Sequence, residues 1–136
     1  MLTEPHLKRI FRLSAWYDII VTAGFATPWS FVFMIGLIAD ASERLGLPGT
    51  MLAPDTFHIF FANLLGSVVL VWSVARLKLN ILIMVRYDAV ARWLFSIWLI
   101  YALANGASFF ILFLLIPEAT LAVLQSLPLR KRAAVL

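Results

Sequence analysis

The 136-residue sequence contains no cysteine. That absence excludes a disulfide framework, a thiol nucleophile and any thiolate metal site, and with them the thiol-redox enzymes built as membrane four-helix bundles. Charge is scarce too: Asp, Glu, Lys and Arg make up 13% of residues, about half the share in soluble domains. Histidine occurs twice, as His6 and His58. No Gly-rich phosphate loop, nucleophile elbow or zincin motif is present, and neither an internal repeat nor a low-complexity segment appears.

What is present is apolar. The hydrophobic fraction is 63%, and a soluble chain this short has too much surface to hide it. The net charge of +4 does not indicate a nucleic-acid partner, because the basic residues fall between apolar runs instead of forming a phosphate-tracking patch. The composition predicts a single membrane domain over residues 1–136, with the lipid bilayer as its solvent.

Four apolar segments stand out, at about 13–39, 57–75, 87–104 and 107–127. The first follows Lys8, Arg9 and Arg12 but is far longer than a signal-peptide core, so it reads as a retained span. A straight helix of that length is about 40 Å against a hydrocarbon core of about 30 Å, and Pro28 offers a kink within it. Residues 40–56 form a loop, with Asp55 or Thr56 as the cap of the next helix. Residues 76–92 are basic, and the short apolar run 81–85 within them is too short to span. The apolar stretch from Trp93 to Ile116 is one span or two, and Asn105-Gly106 is a strong turn dipeptide. Breaking it there gives four spans and leaves every Lys and Arg except Arg44 on one side. Splitting the chain this way follows the positive-inside rule. The expectation is an all-α bundle of four transmembrane helices, multi-pass in a bacterial inner membrane, with both termini cytoplasmic.

Polar residues inside such spans are the candidates for function. Glu118 comes first: it lies near the midplane after Pro117, and shares a stripe with Ala122 and Gln125. It suits a proton-linked site, a structural hydrogen bond, or the interface if the last helix is shifted; the structural readings are preferred. Asp18 and Arg92 lie at similar depths in the first and third helices, and Asp88 precedes Arg92 by four residues, the favourable acid-then-base order. Asp18 could reach the same cluster, which would pin the first helix to the third; the plain and preferred reading is that Arg92 snorkels to the interface with the acids beside it. On the second helix Asn63, Gly66, Ser67 and Ser73 share a face suited to close packing. His58, with Asp55 a turn earlier, could begin a metal site, but the ligands are too few and a capping role is preferred. Neither a metal nor a cofactor is expected.

Several stretches resemble the BphX-like family of small bacterial inner-membrane proteins: Gly24-Phe25-Ala26-Thr27-Pro28-Trp29, Phe61-Ala62-Asn63-Leu64-Leu65-Gly66-Ser67, Arg86-Tyr87-Asp88 and Tyr101-Ala102-Leu103-Ala104-Asn105-Gly106. The resemblance implies a four-helix membrane protein and an association with biphenyl catabolism, and it supplies no activity or catalytic residues. A looser architectural likeness to DoxX-type proteins says nothing of function. The leading expectation is a non-enzymatic accessory or scaffold protein, with a homodimer or membrane-protein partner. The second is a transporter or permeation facilitator for a small apolar or aromatic ligand, using Glu118 and the broken-helix points Pro28 and Pro117. The third is an acid–base enzyme using Asp18 or Glu118, ranked last because no nucleophile is placed beside either.

Overall fold

The computed structural model describes residues 3–128, so the Arg130-Lys131-Arg132 cluster lies outside the described residues. Five helices follow in order: α1 (Glu4–Thr22), α2 (Pro28–Arg44), α3 (Thr56–Leu79), α4 (Leu82–Ala104) and α5 (Leu112–Ser126). Short 3-10 turns at Ala23–Phe25 and Phe109–Ile111 lead into α2 and α5. Among the described residues there is no strand, only an isolated bridge between Thr50 and Ala107.

The first apolar segment is not one continuous helix. The chain leaves α1 through the 3-10 turn, and α2 sets off at 99° to it. Thr27 is extended (φ −132°, ψ 152°), and its hydroxyl accepts a hydrogen bond from the Ser30 N–H at 3.3 Å. Pro28 is the first residue of α2, where its missing N–H costs nothing and its fixed φ already suits a helix. It starts a helix instead of bending one.

The basic segment 76–92 is helical except for a two-residue link. α3 continues to Leu79, Asn80 turns the chain in a left-handed conformation (φ 43°, ψ 44°), and α4 begins at Leu82. Asn is one of the few residues that tolerates this conformation. The stretch Trp93–Ile116 is broken: α4 ends at Ala104, and Gly106 takes φ +88°. Pro117, by contrast, sits inside α5 without ending it.

α1 lies between α3 on one side and the closely packed α4–α5 pair on the other, and α2 packs on α3 and the 3-10 turns. One end of the bundle, the link end, holds the start of α1, the α3–α4 link and the end of α5. There Leu7, Phe11, Met84 and Val85 form a small apolar core, flanked by Trp72, Ala75 and Leu82. The opposite, loop end joins the α2–α3 loop to the α4–α5 turn. The Thr50 N–H donates to Gly106 O at 2.9 Å, the Ser108 N–H to Thr50 O at 3.1 Å and the Phe109 N–H to Pro48 O at 2.9 Å. Ser42 and Ser108 meet through their hydroxyls at 2.6 Å.

The burial pattern is inverted. The two largest fully buried side chains are Arg76 and Arg92, while Ile20, Val71 and Trp29 are 75%, 72% and 81% exposed. A soluble fold shows the reverse. Two helices, Thr56–Leu79 and Phe109–Ser126 with its 3-10 turn, are long and apolar enough to cross a membrane, and the bent pair α1–α2 makes a third if counted as one span.

Candidate functional site

The site grows out of helix periodicity. On α1, Ser14 and Asp18 are four residues apart and face inward with Phe11. On α3, Ser73 and Arg76 share the inward face; on α4, Asp88, Arg92 and Ser96 do; on α5, Glu118, Ala122 and Gln125 do, the last two fully buried. Four helices therefore aim two guanidiniums and three carboxylates into one volume.

Arg76 is its hub. Its Nη1 donates to both carboxylate oxygens of Asp88, each at 2.8 Å, and to Ser14 Oγ at 3.3 Å. Its Nη2 donates to Ser73 Oγ at 2.8 Å and to Asp18 Oδ2. The guanidinium also lies over the Phe11 ring, 5.7 Å from its centre, a cation–π contact. Arg92 is the second hub and holds a carboxylate with each of its three nitrogens: Nε donates to Asp88 Oδ2 at 3.1 Å, Nη2 to Asp18 Oδ2 at 2.7 Å and Nη1 to Glu118 Oε2 at 2.7 Å. The planar fork of Arg suits such multidentate pairing, which a Lys point charge cannot reproduce. Trp72 Nε1 donates to Asp88 Oδ1 at 3.1 Å, and Gln125 Nε2 to Ser14 Oγ at 3.0 Å.

Burial makes this network consequential. Arg76 is 0% exposed, Arg92 2% and Asp88 3%. Isolated charges at such depth are prohibitively costly, and only mutual pairing with further hydrogen bonds sustains them. With all groups ionised, three carboxylates face two guanidiniums, leaving one negative charge in excess. Two polar atoms of its members, Arg76 Nε and Gln125 Oε1, are buried without a hydrogen-bond partner.

Of the sequence candidates, Asp18, Arg92 and Glu118 come together here. Arg92 does not snorkel: its head points inward, about 15 Å along α4 from Leu82. Asn63 sits elsewhere, near the loop end. Its Nδ2 donates to Phe25 O at 2.8 Å, capping the 3-10 turn as α1 gives way to α2. Gly66, one turn on, lies directly under Phe25. Ser67 is exposed, so it leaves the face that Asn63, Gly66 and Ser73 share. Asp55 caps α3, accepting from the His58 N–H at 2.9 Å and facing its ring Nδ1 at 2.8 Å, on an exposed surface. Among the described residues no group of three or more His, Asp or Glu is arranged to hold a metal ion. Asn105 and Gly106 form the α4–α5 turn.

Sequence reasoning missed Arg76, taking it as a loop cation. The signal was available: the small and polar face through Asn63, Gly66 and Ser73 reaches Arg76 when continued by one more turn. Arg86 is a second such case. It donates to the carbonyls of Gln125 at 2.7 Å and Leu127 at 3.0 Å, closing the end of α5 with a cation, where orphan carbonyls and the helix dipole favour one.

No protein-family model, curated protein or solved structure matches the chain.

Proposed function

We propose that the chain is a multi-pass protein of a bacterial inner membrane, of the BphX-like kind, in which α1, α3, α4 and α5 cross and α2 lies across the loop end. The inverted burial supports this reading. α1 and α4 are too charged to pass as apolar spans on composition, but Asp18, Asp88 and Arg92 are turned into the network. The side of α4 left exposed is apolar, with Val90, Leu94, Ile97 and Ile100. Orientation follows from the cations outside the network. Lys8, Arg9, Arg12, Lys78 and Arg86 gather at the link end and Arg44 stands near the other, so the positive-inside rule makes the link end and both termini cytoplasmic.

Its role in that membrane is a non-enzymatic one, an accessory or scaffold protein for a membrane partner or a second copy. One observation carries this: each charged side chain of the interior is paired with another, across four helices, and so acts as a fastening. An acid–base enzyme is less well supported, since Asp18 and Glu118 are both engaged by Arg92. The test is purification in mild detergent with cross-linking beforehand. A stoichiometric partner, or a dimer, is expected; a chain that stays monomeric and alone at native expression level sinks the reading.

A second reading, a facilitator for a small apolar or aromatic compound, is favoured by Glu118 specifically. Its side chain is 13% exposed, more than any other charged member, and only its Oε2 is engaged by Arg92. With the excess negative charge, it is the place where the network would take up a proton. Loss of uptake in Glu118→Gln with normal membrane insertion supports that role, and unchanged uptake removes it.

A further inference from the structure

One surface feature lies outside the ion network. At the link end, an open cavity of about 530 Å³ is lined by Pro5, Lys8, Arg9, Arg12, Leu13 and Trp16 of α1 together with Asn80 of the α3–α4 link. Residues 5, 9, 12 and 16 follow helical spacing, so they form one stripe. Along it the chemistry changes in order: cations toward the end of the bundle, then Leu13 and Trp16, 61% and 54% exposed, one to two turns deeper. Lys8 is paired with Glu4 at 2.8 Å. Among the described residues neither Arg9 nor Arg12 has a carboxylate partner, and both are exposed.

We propose that this cavity holds the phosphate headgroup of an anionic phospholipid of the cytoplasmic leaflet, with Arg9 and Arg12 on the phosphate and an acyl chain along Leu13 and Trp16. The charge is complementary, and Arg is the side chain best formed to bind phosphate with two donors. The gradient from cation to Trp to apolar surface matches the order of headgroup, interface and hydrocarbon. The link end is also where the proposed orientation puts the anionic leaflet, so the inference rests on the membrane reading.

Two measurements separate the two claims. Carbonate extraction of native membranes tests insertion alone: protein left in the pellet upholds the membrane reading, and protein released into the supernatant overturns both. Native mass spectrometry of detergent-purified protein, offered equal phosphatidylglycerol and phosphatidylcholine, then tests the site. Preferential retention of phosphatidylglycerol is expected, reduced roughly tenfold or more in the double variant Arg9→Gln, Arg12→Gln, as fits two basic groups near a membrane surface. Lys78→Gln, which removes one charge from the same end outside the cavity, is expected to keep most of the preference, and Arg12→Gln alone to lose more than Lys78→Gln. Equal losses in those two single variants reduce the effect to general attraction and overturn the site. So does retention of both lipids alike, or displacement of the lipid by excess inorganic phosphate. Circular dichroism of each variant is expected to match the wild type, because both arginines are exposed; if the double variant has lost helix, Arg12→Gln against Lys78→Gln decides alone.

Discussion

The two ends of the bundle are fastened by opposite means. Toward the link end, α1, α3, α4 and α5 are joined by ion pairs between long side chains, with Arg76 and Arg92 as hubs. Toward the loop end the fastening is backbone-close: Gly66 lies against Phe25, Asn63 donates to Phe25 O, and the loop around Thr50 pairs with the Gly106–Ser108 turn. Long charged side chains hold α3 and α4 together across a gap; a glycine lets α3 touch the 3-10 turn that follows α1. Lipid offers no hydrophobic drive between helices, so helices that associate in it depend on hydrogen bonds and close packing. This chain uses charged hydrogen bonds at one end, and close packing with uncharged hydrogen bonds at the other. The charged end should be unforgiving of charge and tolerant of volume, and the small-residue end the reverse.

The sharpest way to break that contrast is Arg92→Ala. It leaves Glu118 with no cation, and Asp18 and Asp88 sharing Arg76 alone. Removing one partner from a buried ionic group costs about 3–5 kcal/mol. In detergent-denaturant unfolding the variant is expected to lose most of its stability or to fail to accumulate. Near-wild-type unfolding would mean that the carboxylates reach water and that the network is a surface feature. Arg92→Lys is expected to recover only part of the loss, because a single ammonium cannot serve three carboxylates in one plane.

Next in size is Gly66→Ala. A Cβ there would stand 2.7 Å from Phe25 C and 2.8 Å from its O. These are backbone atoms, so α3 and the 3-10 turn must part. Overpacking of this kind costs about 1–3 kcal/mol. The contrast predicts that the same substitution at Gly36, where nothing lies within 4 Å, is neutral or slightly stabilising. Equal effects at the two positions would remove close approach as the cause.

What the sequence revealed and what it concealed follow from the same physics. Helix content, the turn at Asn105-Gly106 and the cap at Asp55 are local, set by apolar runs, a turn dipeptide and a side chain three residues from its N–H, so they could be read directly. The apolar run through Pro28 could not: hydropathy is blind to direction, and a proline that begins a helix has the same composition as one that kinks it. Arg76 was concealed for another reason. A cation at the end of an apolar run ordinarily belongs to a loop, and its partners, Asp18 and Asp88, come from other helices. A cluster of Asp18, Asp88 and Arg92 could be read from their similar depths; that Glu118 and Arg76 join it depends on α1 lying between α3 and the α4–α5 pair, which no local pattern encodes.

A smaller effect is expected from Glu118→Gln. The amide oxygen still accepts from Arg92 Nη1, and the substitution brings the formal charges of the network into balance. The expected change in stability is about 1 kcal/mol or less, in either direction, the scale of one exchanged hydrogen bond. A loss as large as that of Arg92→Ala would show that the excess negative charge is already neutralised in the native protein and that Glu118 is a full ionic partner. The same variant reports on function, since a scaffold should keep its partner and a proton-linked facilitator should lose uptake.

The smallest effect concerns a charge in water. Asp55 sits outside the spans at the start of α3, and the backbone N–H of His58 holds its carboxylate below the usual aspartate range, helped by the His58 ring. The folded protein therefore favours the ionised form. Its contribution is fully present above the ordinary aspartate pKa of about 3.9 and is lost as pH falls through the lowered value. Amide exchange protection at Phe57 and His58, followed in micelles from neutral to acid pH, is expected to hold until that range and then to fall, while the interior of α3 stays protected. In Asp55→Asn the cap remains, because an amide oxygen also accepts from a helix N–H, but it has no proton to take up, so the acid-side loss should vanish. If Asp55→Asn frays at the same pH as the wild type, the titrating group is not Asp55. If instead the wild-type loss spreads along all of α3, then acid is reaching the buried network, and the division between an exposed cap and a sealed ionic interior fails.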